Sequence, residues 1–299
     1  MDDGREFEAR RGLLFSVAYR ILGSAADAED TVQDAWLRWS AADRSEVAEP
    51  EAYLIRIVSN LALDRLRSAR ARRETYIGPW LPEPILTESD ADSVSMALLV
   101  VLESLTPLER AVFVLKEVFG FAHAEIGDAV GRSEATVRQA ALRAREHVRA
   151  RRPRFPADRR RQRAVTERFL AAATGGDLST LMELLAPDVT VWTDGGGKVR
   201  QATRPVAGAA RVAAWFATLG DQPYQGVALA DMTVEFAELN GGPAIVFRGA
   251  GRVIGTMSLD LGEDGRIVAI HNVANPDKLR AVSAGTVFPI SQGRSPAPW

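Results

Sequence analysis

The side chains with the plainest chemical capacity in this sequence are arginines. Between Arg132 and Arg163 twelve of them stand against three carboxylates, Glu134, Glu146 and Asp158. Guanidinium groups at that density suit phosphates. Arg138, Arg143, Arg145, Arg149, Arg151 and Arg152 share a stretch with Val137, Ala141, Leu142 and Val148 at helical spacing. Ser133 is placed to cap that helix, Gly131 to turn into it, and Ile126, Ala129 and Val130 form a shorter apolar pattern before it. Two helices about a glycine turn make a helix-turn-helix, and an arginine-rich second helix fits a major groove. A merely solvated basic face would explain the charge but not the turn, the cap and the preceding pattern together.

Lysine is the second signal. Only Lys116, Lys198 and Lys278 occur among 37 basic residues. Two of the three lie in short polar motifs, Asp194-Gly195-Gly196-Gly197-Lys198 and Asn275-Pro276-Asp277-Lys278-Leu279. Turn chemistry accounts for the glycines and the proline. It does not account for a compact ammonium twice replacing the usual arginine.

Covalent chemistry has few candidates. Cysteine is absent, which removes disulfides, thiolate metal sites and thiol nucleophiles together. His123, His147 and His271 are far apart with no ligand spacing, so no metal and no cofactor is expected. Asp194, Asp231, Glu235 and His271 are the groups that could do acid–base work if they met in one pocket.

The elements that must position these groups follow from periodicity. From Phe7 to Arg73 the pattern is helical: one helix ends at Gly23, a second carries Asp27, Glu29, Asp30 and Gln33 near its start, and a third begins near Glu51 and exposes Asn60, Asp64 and Arg67. Acidic residues in a first turn also simply suit the helix dipole. Pro79, Pro82 and Pro84 then forbid regular helix, so Trp80-Leu81-Pro82-Glu83-Pro84 reads as a stiff extended segment, with Trp80 docked in another domain. After Arg163 come two helices broken at Gly175 and Gly176, then strand patterns DVTVWTD, VRQATR, VALADMTVEFAEL, PAIVFRG, RVIGTMSLDL and RIVAIHNV, with a helix from Ala209. The turns NGG and GEDG are hairpin signals. The pattern is that of a helical half followed by an α+β domain with a curved antiparallel sheet.

The blocks SAADAEDTVQDAWLRW, PEAYLIRIVSNLALDRLRSARARR and LTPLERAVFVLKEVFGFAHAEIGDAVGRSEATVRQAALRARE, in that order, resemble regions 2 and 4 of extracytoplasmic-function (ECF) sigma factors of the sigma-70 family. The C-terminal pattern resembles the SnoaL-like branch of the NTF2-like cone fold. WLPEP, DGGGK and NPDKL together resemble the ECF group that carries such an extension in place of a separate anti-sigma factor.

The resemblance implies a multidomain protein: two all-α sigma domains followed by an α+β NTF2-like cone domain. Region 2 is expected over 1–74, a Pro-rich linker over 75–95, region 4 over 96–155, the SnoaL-like regulatory domain over 161–281 and a flexible tail over 282–299. It implies that Asp27, Glu29, Asp30 and Gln33 meet core RNA polymerase. Asn60, Asp64 and Arg67 would read the −10 element of promoter DNA. Arg132, Ser133, Arg138, Gln139, Arg143 and Arg145 would take the −35 element, the last two through phosphates. Trp80 to Pro84, Asp194 to Lys198 and Asn275 to Lys278 would form the interdomain contact.

A cytoplasmic protein, monomeric when free and without a membrane contact, is expected. No apolar run approaches a membrane span, and a formal net charge of −2 averages a basic block with acidic surroundings. The cone leaves room for a small-molecule ligand. The alternative reading is a DNA-binding regulator with a ligand-sensing or enzymatic NTF2-like domain. That alternative gives no purpose to the acidic block before Asp34 or the basic stretch from Arg65 to Arg73.

Overall fold

The computed structural model describes residues 3–43, 47–88, 95–151, 158–217, 223–288 and 290. Three helices, α1 (Asp3–Leu22), α2 (Ala25–Ala41) and α3 (Pro50–Arg73), pack as the first group. Gly23, at φ 70°, ends α1, and Ser24 caps α2 by accepting the Asp27 amide at 3.1 Å. The segment 79–88 then runs without helix, as its prolines require.

The second group is α4 (Met96–Glu103), α5 (Pro107–Phe113) with a π-helical turn at Val114–Val118, α6 (His123–Val130) and α7 (Glu134–Arg151). Thr106 and Glu109 close a reciprocal capping box at the start of α5. Gly131 takes the left-handed conformation after α6, and the Ser133 hydroxyl accepts the Thr136 amide at 3.3 Å to start α7. The turn is tight: a Cβ on Gly127 would lie 2.7 Å from the Arg132 carbonyl oxygen. The helix-turn-helix expected from sequence is therefore present, to within a residue or two at its ends.

The third group is α8 (Arg159–Gly175), α9 (Leu178–Leu184) and α10 (Ala209–Ala217) against a six-stranded sheet. The strands are β1 (Leu185–Asp194), β2 (Val206–Ala207), β3 (Thr233–Leu239), β4 (Gly242–Gly249), β5 (Arg252–Leu261) and β6 (Ile267–Val273), ordered β2-β1-β6-β5-β4-β3. The sheet is mixed rather than antiparallel, because β1 lies parallel to β6. VRQATR is not a strand; the β1 partner is Val206–Ala207. VALADMTVEFAEL breaks at a 3₁₀ turn, Leu229–Asp231. The NGG hairpin holds, with Asn240 and Gly241 both at positive φ between β3 and β4.

Burial divides the molecule unexpectedly. The first two helical groups share one core, in which Leu14, Tyr19, Trp39 and Leu54 pack with Leu99, Leu102, Val112 and Leu115. One sheet face buries Ile245, Leu259 and Ile270 against Phe169, Val212 and Phe216 of α8 and α10. The opposite face, through Ala244, Val246 and Val273, packs on Leu81 of the extended segment and Met96 of α4. The stretch expected to be flexible from 282 begins instead with structure: α11 (Arg280–Ser283) is followed by Phe288, 7% exposed within the helical core. Residues 291–299, with Trp299, lie outside the described residues, as does Arg152.

Candidate functional site

The three motifs WLPEP, DGGGK and NPDKL meet in one buried cluster. Asp194, the last residue of β1, is fully buried and its carboxylate is filled from three directions. The Tyr76 hydroxyl donates to Oδ1 at 2.5 Å, the Leu81 amide to Oδ2 at 2.8 Å and Lys278 Nζ to Oδ2 at 2.6 Å. Lys278 Nζ also donates to the Leu81 carbonyl oxygen and lies 3.8 Å from the Trp80 ring centroid. A tetrahedral ammonium can serve a carboxylate, a carbonyl and a ring at once, which is the physical case for lysine here. Burial pulls its pKa down to about 8, against the opposing pull of Asp194.

The glycines of DGGGK bring this loop close to the linker. Gly196 has φ 59°, and a Cβ there would lie 2.3 Å from Asn275 Nδ2 and 2.9 Å from the Tyr76 hydroxyl. Asn275 Nδ2 in turn donates to that hydroxyl at 2.8 Å. Lys198 closes a second, exposed bridge to Asp277 at 2.5 Å. Pro276 shapes the turn between Asn275 and Asp277, whose amide bonds back to Asn275 Oδ1 at 3.1 Å.

Trp80 carries the contact on into the helical groups. The Arg73 guanidinium stands 3.5 Å from its ring centroid, donates to the Leu22 carbonyl oxygen at 2.8 Å and pairs with Glu103. The other Glu103 oxygen pairs with Arg110, whose side chain is 1% exposed and whose Nε donates to the Arg20 carbonyl oxygen at 3.0 Å. Three residues after Trp80 in the linker, Glu83 sits at the N-terminus of α2. Its carboxylate accepts from the Ser24 hydroxyl at 2.9 Å and the Ala25 and Ala26 amides at 2.8 and 3.3 Å. Burial pushes the Glu83 pKa up, while those donors pull it down. Pro82 and Pro84 are buried beside it.

Sequence reasoning missed Tyr19, Arg73, Tyr76, Glu103, Arg110 and Asn240. Tyr19 donates to the Glu83 carbonyl oxygen at 2.6 Å and receives the Asn240 amide. Asn240 was read only as part of the NGG turn, and Arg73 and Arg110 only as parts of helical blocks; nothing in their local pattern pointed to this contact, and Tyr76 stood out only by its place at the start of the linker.

The proposed recognition residues lie on open surfaces. Along α2, Val32, Ala35 and Trp39 are buried, while Asp30 and Gln33 are exposed and Asp27 and Glu29 half-buried. Glu29 pairs with Arg11 at 2.6 Å and Asp30 with Arg65 at 3.7 Å. Beside them runs a groove of about 480 Å³ lined by Phe7, Val32, Gln33, Trp36 and Leu37, the last 64% exposed. On α3, Asp64 and Arg67 are exposed and pair at 2.9 Å, with Asn60 half-buried on the same side. Around α7, Arg132, Ser133, Arg138 and Gln139 are exposed. Arg143 and Arg145 are turned back to Glu109 and Glu117, at 2.8 and 2.5 Å.

Asp194, Asp231, Glu235 and His271 are not brought together. Glu235 pairs with Arg248 on the surface at 3.0 Å, and Asp231 is exposed. His271 stacks on Trp192 and lies 3.4 Å from Asp260. Burial lowers the pKa of His271 to about 4 and raises that of Asp260 to about 7. Among the described residues there is no group of side chains with metal-ligand geometry and no helix long and apolar enough to cross a membrane.

These features are those of a sigma-70-type transcription initiation factor: residues 7–72 match the Sigma-70 region 2 family and residues 95–148 the Sigma-70 region 4 family. The chain is 41% identical to the ECF RNA polymerase sigma factor SigJ of Mycobacterium tuberculosis over 91% of its own length and 92% of that protein's. It is 33% identical to the probable ECF RNA polymerase sigma factor SigI of the same organism, over 93% and 96%. The crystal structure of SigJ superposes with a TM-score of 0.75 at 37% identity, covering 93% of this chain and 98% of that one. The chain belongs to the ECF RNA polymerase sigma factors. It directs promoter-specific initiation by binding core RNA polymerase and promoter DNA, and its third domain is built of three helices on a six-stranded mixed sheet. The reading as an ordinary DNA-binding regulator is not favoured.

Proposed function

We propose that this arrangement is the resting state of the sigma factor and that its own C-terminal domain holds it closed. The observation that carries this is the Asp194–Lys278 pair, shut around Trp80 and Leu81 of the linker between the two sigma regions. The −10 and −35 elements lie about 25 base pairs apart, about 85 Å of duplex at ~3.4 Å per pair. Here α3 packs directly on α5 and α6 and shares their core, so both elements cannot be engaged until the regions separate. Separation breaks the Arg73–Glu103–Arg110 bridge and draws the linker from the clasp.

In the open state Asp27, Glu29, Asp30 and Gln33, with the adjoining apolar groove, serve as the polymerase face. Asn60, Asp64 and Arg67 face the −10 element, and Arg132, Ser133, Arg138 and Gln139 the −35 element. Arg143 and Arg145 join them on phosphates once their carboxylates are given up. The C-terminal domain acts by contact rather than catalysis, in keeping with the dispersal of its acid–base candidates. A signal has to favour one state by several kcal/mol to act as a switch.

The test is run-off transcription with core polymerase, comparing the full chain with Lys278→Met and Asp194→Asn. More transcript and tighter core binding by the variants support the reading. Unchanged initiation from variants shown to have lost the linker contact would overturn it.

A further inference from the structure

The C-terminal end of the described chain leaves its own domain and enters region 2. Phe288 stacks on Phe15 of α1 with ring centroids 4.6 Å apart and planes 10° from parallel, and Phe15 stacks in turn on Tyr19. Val287 bridges Leu86 of the linker in parallel, and the Phe288 amide donates to the Leu86 carbonyl oxygen at 3.0 Å. Leu86 also bridges Leu239 at the end of β3, so the tail is the outermost rung of a sheet that runs from the third domain through the linker.

We infer that Thr286 to Phe288 form a strap, docked in a slot formed by the linker at Leu86 and α1 at Phe15, that must leave before region 2 engages polymerase. The slot uses the general means of holding an extended peptide: one strand edge for the backbone and one apolar site for an aromatic anchor. The anchor is concentrated. Ser283 to Thr286 are exposed and Val287 is 52% exposed, whereas Phe288 is 7% exposed and Ile290 packs on the same core. Gly285, at φ 67°, turns the chain from α11 toward the slot. An element bonded along one side only, and held by one ring with Ile290 beside it, is the first part of the closed assembly that can detach.

The placement also gives detachment a consequence. Tyr19, next in the stack, hydrogen-bonds the carbonyl oxygen of Glu83, the residue that caps α2. Strap, linker and the polymerase-facing helix are therefore joined through two aromatic rings.

This inference rests on the resting-state reading, and the experiment separates the two. Leu86→Cys with Val287→Cys introduces the only cysteines in a chain that has none, at positions paired across a parallel bridge, where neighbouring strands lie about 4.8 Å apart, within the span of a disulfide. Oxidation should weaken core-polymerase binding by about tenfold or more, reduction should restore it, and Phe288→Ala in the otherwise native chain should strengthen it by a similar factor. Equal affinity of the oxidised and reduced proteins, while Lys278→Met still activates, would sink the strap and leave the clasp standing. If neither the disulfide nor Lys278→Met changes binding, the closed resting state is wrong and the strap falls with it. The disulfide leaves Phe288 in place, so the answer does not depend on whether Phe288→Ala folds.

Discussion

Two lysine–aspartate pairs, from the same two motifs, make nearly equal contacts and do different work. Lys278–Asp194 closes at 2.6 Å with side chains 7% and 0% exposed; Lys198–Asp277 closes at 2.5 Å with side chains 53% and 45% exposed. Length therefore says nothing about importance. In the exposed pair water screens the attraction and replaces it when it breaks. In the buried pair neither charge has solvent to fall back on, and each depends on the other and on Tyr76 and Leu81. The buried pair can act as a clasp because opening it has to rehydrate both charges together, when the linker leaves.

The largest test of that contrast removes one buried charge. Lys278→Met leaves Asp194 uncompensated, and the closed state should lose about 3–5 kcal/mol, read as a lower denaturation midpoint. Adding Asp194→Asn should recover part of the loss, since two neutral groups need no mutual compensation. A single variant as stable as the parent would mean the pair is only decorative.

Glu83 should follow. Glu83→Gln keeps the shape but gives up the carboxylate at the start of α2, a cap and dipole interaction of about 0.5–2 kcal/mol. Thermal melting should move down while α2 stays helical by circular dichroism.

The smallest effect belongs to the exposed pair: Lys198→Ala should change stability by no more than about 1 kcal/mol, and less in high salt. A larger loss would erase the distinction between the pairs.

Much of the helical half was legible because its signals are local. Gly23 and Ser24 separate α1 from α2, Gly131 and Ser133 separate α6 from α7, and the apolar spacing identifies the buried sides. The surfaces carrying Asp30, Asp64 and Arg138 followed from the same periodicity, since whatever is not on the apolar stripe faces out. The sheet was read less well. Strand patterns gave β3 to β6, but the parallel pairing of β1 with β6 and the short β2 depend on partners far away in the chain.

The motifs WLPEP, DGGGK and NPDKL, and the rarity of lysine, marked by themselves the residues of the clasp. Composition and spacing also fixed the helix-turn-helix and the absence of thiol chemistry. Only the tertiary structure decided that Lys278 rather than Lys198 is the buried member, that Tyr76 completes the carboxylate, that Glu83 caps α2 and that Phe288 enters region 2. The reason is physical: periodicity and capping act within a few residues, whereas desolvation depends on which surfaces finally cover a group. Tyr76 and Asp194 are 118 residues apart, and no local pattern records that they will share a proton donor and acceptor in a place without water.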